Sequence, residues 1–442
     1  MRVDEIQDQR EDQREDRRAW EGAPANGTQA NGTAADRIVR QAAETARRAA
    51  GSLAAVPAGV LDDALRAMAH LLRENAAFVR AANEHDVSAA RTAGMSGALL
   101  DRLRLSEARL DSMSRQLHSL AAAPAPPARS RIRDLPGGLV LEEHRRPVGV
   151  IGANFEARPN VVVDIASQFI KSRNAGVLRT GSFALRSAIS LADHVIVPAL
   201  WGVGLDPRLI QVIREPGHEM AGALVRQPAL LPLVIVRGSG ASTRLLAAEG
   251  ARHGVRILAH ADGGAVIYID DSASPEMVSA IIEASLDRLG VCNRLNLLLI
   301  KDSIWADTIT DIQALLGRLG VTPSLPPHAH ALGREWALEP GREATVTISP
   351  ARGPADAARI ANAETSGLAA AVIAENEAAA AEFMSGYSGT GVFHNATPRL
   401  LDGFKLFAVP ETGINIDRVP GPRGPVTFGD LYLRQLVVRP GP

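Results

Sequence analysis

A single cysteine, Cys292, stands in a chain of 442 residues, so no internal disulfide framework is available to the fold. Charge of one sign is also missing. Lys and Arg number 48 against 49 Asp and Glu, a formal net charge of −1, which leaves no broad field for nucleic acid or a membrane surface. No apolar run approaches the length that spans a bilayer, and the opening residues lack the basic-then-apolar order of a secretory signal. These absences make cytoplasmic the expectation, with small molecules or sister subunits as partners. What the chain does have is apolar residues, 46% of the total, and a length that exceeds what one core usually serves. Two or more domains are expected.

Residues 1–35 hold the local repeat "DQREDQRED" followed by Gly, Asn, Thr and Ala without apolar periodicity, the composition of a disordered tail; a partner-binding helix is the alternative. The NGT triplets would be glycosylation acceptors only in a secreted protein and read here as loop chemistry. From Ala35 to about Ala122 the spacing is helical and rich in Ala, Leu and Arg, which predicts several amphipathic helices with solvated arginines. "AAAPAPPARSR" (residues 121–131) ends that pattern, because proline at this density cannot continue a helix. "RIRDLPGGLVLEEHRRP" (residues 131–147) places a Pro-Gly-Gly turn between two extended runs and predicts a hairpin.

Beyond it, apolar runs such as "PVGVIGANF", "LPLVIVRG" and "AVIYIDD" alternate with helical segments, the pattern of βαβ units and a parallel sheet. A second alternating block starts near Pro275. The fold class is therefore α/β, with two lobes and a cleft between them, and "DLYLRQLVVRP" near the C-terminus reads as a strand able to join the hairpin.

Four segments carry chemistry. "LRTGSFALRSA" (residues 178–188) sets Gly181 and Ser182 between a strand and a helix, where free backbone N–H groups and the helix dipole suit a phosphate. "VIVRGSGAST" (residues 234–243) repeats this with Gly238 and Ser239. Many strand-to-helix turns contain Gly-Ser, and neither stretch is the G-x-G-x-x-G fingerprint, so an ordinary Rossmann site is not supported. In "NFEARPNVVVD" (residues 154–164), Arg158 and Asn160 offer planar donors to an anionic substrate; Arg158 paired with Glu156 or Asp164 is the structural alternative. "RLGVCNR" holds Cys292 on a loop beside Asn293, which suits a nucleophile whose backbone N–H faces a developing oxyanion; a small buried hydrophobe is the competing reading.

These segments occur together and in this order, and with them the chain resembles the aldehyde dehydrogenase superfamily, most closely its gamma-glutamyl phosphate reductase family. The stretch from Arg146 to Ser182, "RPVGVIGANFEARPNVVVDIASQFIKSRNAGVLRTGS", carries most of the resemblance, with "ILAHADGGAVIYIDD" and "RLGVCNRLNLLLI" beside it. The resemblance spans roughly residues 36–440. It implies an aldehyde dehydrogenase-like fold with a cofactor-binding domain (36–128 and 148–262), a catalytic domain (263–412) and a small oligomerisation element (129–147 and 413–442). It implies Cys292 as the nucleophile that forms a thioacyl enzyme from an acyl phosphate such as gamma-glutamyl phosphate, and NADPH as reductant. Arg158, Asn160 and Asn293 fall on the substrate side. Arg179, Gly181, Ser182, Gly238 and Ser239 fall around the cofactor, and Glu339 at its nicotinamide ribose. No metal is implied, and a homodimer or homotetramer is.

Hydrolytic aldehyde dehydrogenases carry a glutamate base in "ELGG"; the corresponding "VRILAHADGG" has none, which favours a thioester that must meet hydride or phosphate rather than water. Asp262 is the nearest acid, as a displaced base or as a loop residue. Other departures concern specificity. Arg173 replaces the glycine of the family's K-x-G-N turn. Phe183 replaces an acid that would repel a 2′-phosphate, with Arg179 or Arg186 placed to contact one, so NADPH is favoured over NADH. "AETSGLAAAVIA" (residues 363–374) lacks the family's histidine, and "FAVPETGINID" (residues 407–417) has Pro410 in a glycine-rich position. An oxidative aldehyde dehydrogenase, a reductase of another activated acyl group, and a noncatalytic scaffold are the alternatives.

Overall fold

The protein, in a computed structural model, is described over residues 32–238, 240–260, 263–339, 341–419 and 421–441. Most of the expected tail, like Ser239 and Asp262, lies outside those residues. The first helix, Ala34–Ala50, starts at Thr33, whose hydroxyl accepts from Asp36 N while the Asp36 carboxylate accepts from Thr33 N, a capping box that satisfies otherwise orphaned donors. Its Ala35, Val39, Ala43, Ala46 and Ala49 recur every three or four residues and are buried. Helices Ala58–Glu74, Ala76–Thr92, Gly97–Leu103 and Glu107–Ala122 follow, as the sequence spacing predicts.

The hairpin forms from β1 (Arg129–Leu135) and β2 (Leu139–Pro147). Gly137 and Gly138 occupy its turn at φ of 77° and 72°, a region that side chains disfavour. The first lobe is a five-stranded parallel sheet of β3 (Val150–Phe155), β4 (Ala175–Thr180), β5 (Ile210–Val212), β6 (Leu233–Arg237) and β7 (Arg256–His260), in the order β5-β4-β3-β6-β7. Strands β3, β4 and β6 are buried along their whole length, which is why they read as continuous apolar runs. Helix Val161–Lys171 presses on β4 closely enough that a Cβ at Gly176 would stand 2.4 Å from the Phe169 ring.

The second lobe is a six-stranded parallel sheet built from β8 (Ala265–Ile269), β9 (Leu295–Lys301), β10 (Thr322–Ser324), β11 (Thr345–Ala351), β12 (Ala369–Ile373) and β13 (Gly391–His394), ordered β10-β11-β9-β8-β12-β13. The chain then returns to the first lobe. Strands β14 (Gly413–Asn415) and β15 (Gly424–Val426) pair with each other, and Val409, Val426, Phe428 and Leu431 enter the first lobe's core. Only β16 (Tyr432–Pro440) joins the hairpin, giving the order β1-β2-β16. Residues 413–442, grouped at the sequence level with the hairpin, thus divide: Ile414 packs with Ala265 and Leu368 of the second lobe, Val426, Phe428 and Leu431 enter the first lobe's core, and the last strand carries the pairing.

Among the described residues one helical segment, Ser182–Gly202, is long and apolar enough to cross a membrane, a length that inspection of apolar runs misses. Its Leu191, Val195, Ile196 and Leu200 are instead fully buried in the first lobe's core.

Candidate active site

Strand order reverses direction at β3: β4 and β5 lie on one side, β6 and β7 on the other. In open parallel sheets the crevice outside the carboxyl ends at such a switch point is where ligands bind. A cavity of about 480 Å³ opens there, lined from the first lobe by the turns after β3, β4 and β6 and by His260 at the end of β7, and from the second by Cys292 and Glu335.

Cys292 is half-buried, and its loop is clamped from below. Gly264 N donates to the Cys292 carbonyl at 2.6 Å, and Gly263 N donates to Glu335 Oε2 at 2.8 Å. A Cβ on Gly263 would stand 2.7 Å from the Cys292 carbonyl oxygen and 2.6 Å from Glu335 Oε1, so only glycine lets the two lobe segments touch. Arg294, fully buried, donates to the carbonyls of Glu343 and Thr345. Asn293 faces away from the cavity. Its Nδ2 donates to the Leu401 carbonyl at 3.0 Å and its Oδ1 accepts from Arg399, which pairs with Asp287 at 2.6 Å. Asn293 therefore fastens the thiol's loop to the segment at Leu401 and does not present its amide to a substrate.

Three guanidinium groups, Arg102, Arg158 and Arg237, line the same cavity as the thiol. Burial pushes the Cys292 thiol up from its ordinary pKa, and Arg158, Arg237 and Arg102 pull it down, with Glu335 adding to the rise. Burial, with Arg102 and Arg237 beside it, presses Arg158 down to about 9, which leaves it cationic at neutral pH. Arg102 donates to the Gly290 carbonyl, two residues before Cys292. Arg237 donates to the Thr412 carbonyl at 3.2 Å. The backbone of Ala157, at φ 44°, is the strained corner that turns Arg158 into the cavity.

The other expected site residues sort by geometry. Gly181, Ser182 and Gly238 line the cavity. A Cβ on Gly238 would come within 3.0 Å of the Glu156 carboxylate, and Glu156 in turn accepts from Ser242 at 3.2 Å. Arg179 lines the cavity too, but its Nη1 donates to Asn154 Oδ1 at 3.0 Å and its Nη2 to the Gly217 carbonyl at 2.8 Å. That leaves Arg179 Nε, Asn154 Nδ2 and Thr180 Oγ1 buried without partners among the described residues, a polar set at the ends of β3 and β4 suited to a polar ligand. Asn160 donates to Asp164 Oδ2 at 2.9 Å and is outside the lining. Glu339 pairs with Arg334 at 2.8 Å, also outside it.

The carboxylate that the EWAL segment brings to the cavity is Glu335. Its neighbour Trp336 is fully buried, with N donating to Asn296 at 3.1 Å and Nε1 to Thr347 at 2.9 Å, so the turn is pinned with Glu335 facing Gly263. Among the polar lining residues, Arg102, Arg237, His260 and Glu335 are ones that sequence reasoning missed. For His260 and Arg237 a signal existed, since both end strands whose following turns were already suspected.

The aldehyde dehydrogenase family matches the chain over residues 23–331. Gamma-glutamyl phosphate reductase of Sphingopyxis alaskensis is 34% identical over 412 residues, covering 91% of this chain and 94% of that protein. The enzyme of the same name from Chloroflexus aggregans is 34% identical over 402 residues, covering 87% and 94%. Among solved structures, gamma-glutamyl phosphate reductase of Thermotoga maritima superposes with a TM-score of 0.81 at 26% identity, covering 91% of this chain and 98% of that one. An acetylating aldehyde dehydrogenase of Geobacillus thermoglucosidasius, 15% identical with a TM-score of 0.71, shares the fold.

Proposed function

The chain belongs to the aldehyde dehydrogenase family, in its gamma-glutamyl phosphate reductase branch, and we propose that it reduces gamma-glutamyl phosphate to the semialdehyde through a thioester on Cys292. The observation that carries this reading is the grouping of Arg102, Arg158 and Arg237 around the one thiol. A thiol suits the acyl carbon, and a cluster of guanidinium groups suits a leaving phosphate dianion.

In the first step Cys292 Sγ, as thiolate, attacks the acyl carbon, the bond from that carbon to the phosphate oxygen breaks, and phosphate departs with the electron pair and takes up a proton. The guanidinium groups hold that phosphate and favour the thiolate. In the second step the acyl carbon gains hydride, the carbon–sulfur bond breaks, and the thiolate is regenerated as the aldehyde leaves. Bound NADPH supplies that hydride. Gly181, Ser182 and Gly238 would hold the cofactor where the backbone lies bare at the starts of helices, with the unpartnered atoms of Asn154, Arg179 and Thr180 beside it. Arg186, exposed and three residues after Phe183, would meet a 2′-phosphate.

The reaction is tested in reverse, with the purified protein, the semialdehyde, NADP and either phosphate, coenzyme A or water. Absorbance growth that requires phosphate is expected. Growth without phosphate would instead assign an oxidative or thioester-forming dehydrogenase, and failure of NADPH to bind in a fluorescence titration would assign a scaffold. Mass spectrometry of Cys292 after trapping with candidate acyl phosphates identifies the acyl group.

We further place the protein as a homodimer or homotetramer in the cytoplasm. The support for the assembly is the three-stranded ribbon of β1, β2 and β16, on which Ile132, Leu433, Leu436 and Val438 are exposed.

A further inference from the structure

His260 ends β7 and lines the cavity that holds Cys292. The ring is 7% exposed. Its Nδ1 accepts a hydrogen bond of 2.8 Å from the backbone N–H of Ile414. A backbone N–H can only donate, so Nδ1 carries no proton and the neutral ring must carry its proton on Nε2. Nε2 is buried and has no hydrogen-bond partner among the described residues. A buried donor left unpaired costs about 1–3 kcal/mol, and in a native protein it calls for an explanation.

The surroundings fix the charge of this ring as well as its tautomer. Burial, then the nearby Arg237, Arg158 and Arg102, hold its pKa well below that of an ordinary histidine. The imidazole is thus neutral across the working pH range and cannot serve as an acid that loses a proton. What it offers is one fixed N–H, unpaid until something with a lone pair arrives beside the thiol. The bond from Ile414, 154 positions away in sequence, prevents the ring from flipping to present a bare nitrogen.

We propose that His260 is a catalytic hydrogen-bond donor whose Nε2–H stabilises the oxygen that turns negative when Cys292 attacks an acyl carbon. The proposal rests on the reading of Cys292 as an acyl acceptor but not on which acyl group it accepts. No proton is transferred. The carbonyl oxygen gains charge as the sulfur–carbon bond forms and the hydrogen bond strengthens; its electron pair then re-forms the carbonyl as the leaving group departs with the bonding pair and the negative charge. The same oxygen carries charge again when hydride reaches the thioester, so one donor serves both steps.

A neutral activated ester, p-nitrophenyl acetate, tests this without cofactor or phosphate. Acylation of Cys292 by the ester is followed from the nitrophenolate burst in wild type, His260→Ala and His260→Gln. Removal of one such donor is worth roughly 100-fold or more in rate, and His260→Ala is expected to acylate slower by about that factor. His260→Gln, whose carboxamide N–H reaches a similar point, is expected to recover roughly tenfold of the loss. The pH midpoint for alkylation of Cys292 by iodoacetamide is expected to stay where it is in wild type, because a neutral donor does not set the thiol's charge. Acylation of His260→Ala within about threefold of wild type overturns the proposal. So does an equal loss in both variants, or a slowing matched by a shift of the alkylation midpoint, either of which would assign a structural role. A wild type that is acylated by the ester yet shows no phosphate-dependent oxidation of the semialdehyde would sink the substrate reading and leave this one standing.

Discussion

In the proposed reaction Arg158 would act on two things at once, the substrate's phosphate and the thiol's ionisation, and the two can be separated. Loss of a charge-assisted contact to phosphate costs about 2 kcal/mol or more, so Arg158→Ala is expected to lower kcat/KM for the acyl phosphate roughly 30-fold. Arg158 also leads the groups that pull the Cys292 thiol down against burial. Its removal therefore moves the pH midpoint of Cys292 alkylation upward, while Arg158→Lys restores part of that midpoint and less of the phosphate affinity, since an ammonium lacks the planar fork. A midpoint unchanged in Arg158→Ala would show that the guanidinium does not act on the thiol. Phe183 gives a second prediction at this scale. Phe183→Glu returns an acid beside the cofactor turn, and the ratio of KM for NADPH to KM for NADH should rise about tenfold; an unchanged ratio would remove Phe183 from cofactor choice.

At the scale of elements, helix Val161–Lys171 carries Asp164 in its first turn. Burial pushes its carboxyl up to about 7, helped by Glu411 and Asp402 and opposed by Arg237 and the Asn160 hydrogen bond. An ordinary unfolded aspartate titrates near 3.9. Between those two values the folded state holds more protons than the unfolded one, so stability falls as pH rises from about 4 to about 7. Asp164→Asn removes this contribution. Its melting temperature should decline less than wild type's between pH 5 and pH 8, and parallel declines would show that Asp164 titrates normally. The element scale also separates what the chain's local pattern discloses from what it hides. Alternating apolar runs announce the parallel strands, and Pro136-Gly137-Gly138 announces the hairpin turn, because both follow from short-range periodicity and backbone freedom. The choice of Glu335 over Glu339 follows instead from where Trp336 is buried, and the fixed tautomer of His260 from an amide in β14. Contacts between distant segments leave no trace in spacing, so the thiol's loop and Arg158 were readable while Arg102, Arg237 and His260 were not.

At the scale of the whole molecule, the ribbon of β1, β2 and β16 is too small to stand alone. Two- and three-stranded sheets need an apolar face covered to be stable, and here apolar side chains are exposed on both faces of one strand: Leu436 at 55% and Val438 at 52% on one, Leu433 at 53% on the other. The ribbon's two edges, β1 and β16, also lack a strand partner among the described residues, and β16 runs for nine residues. A long apolar edge of this kind invites pairing with another chain, and a second copy of the same ribbon would cover face and edge together in a closed symmetric contact. Leu436→Asp places a charge at the centre of that contact and should shift the sedimentation mass from a dimer or tetramer toward the monomer. Cys292 alkylation at its wild-type rate would show that the lobes themselves are intact. A wild type that sediments as a monomer at micromolar concentration would refute the assembly outright.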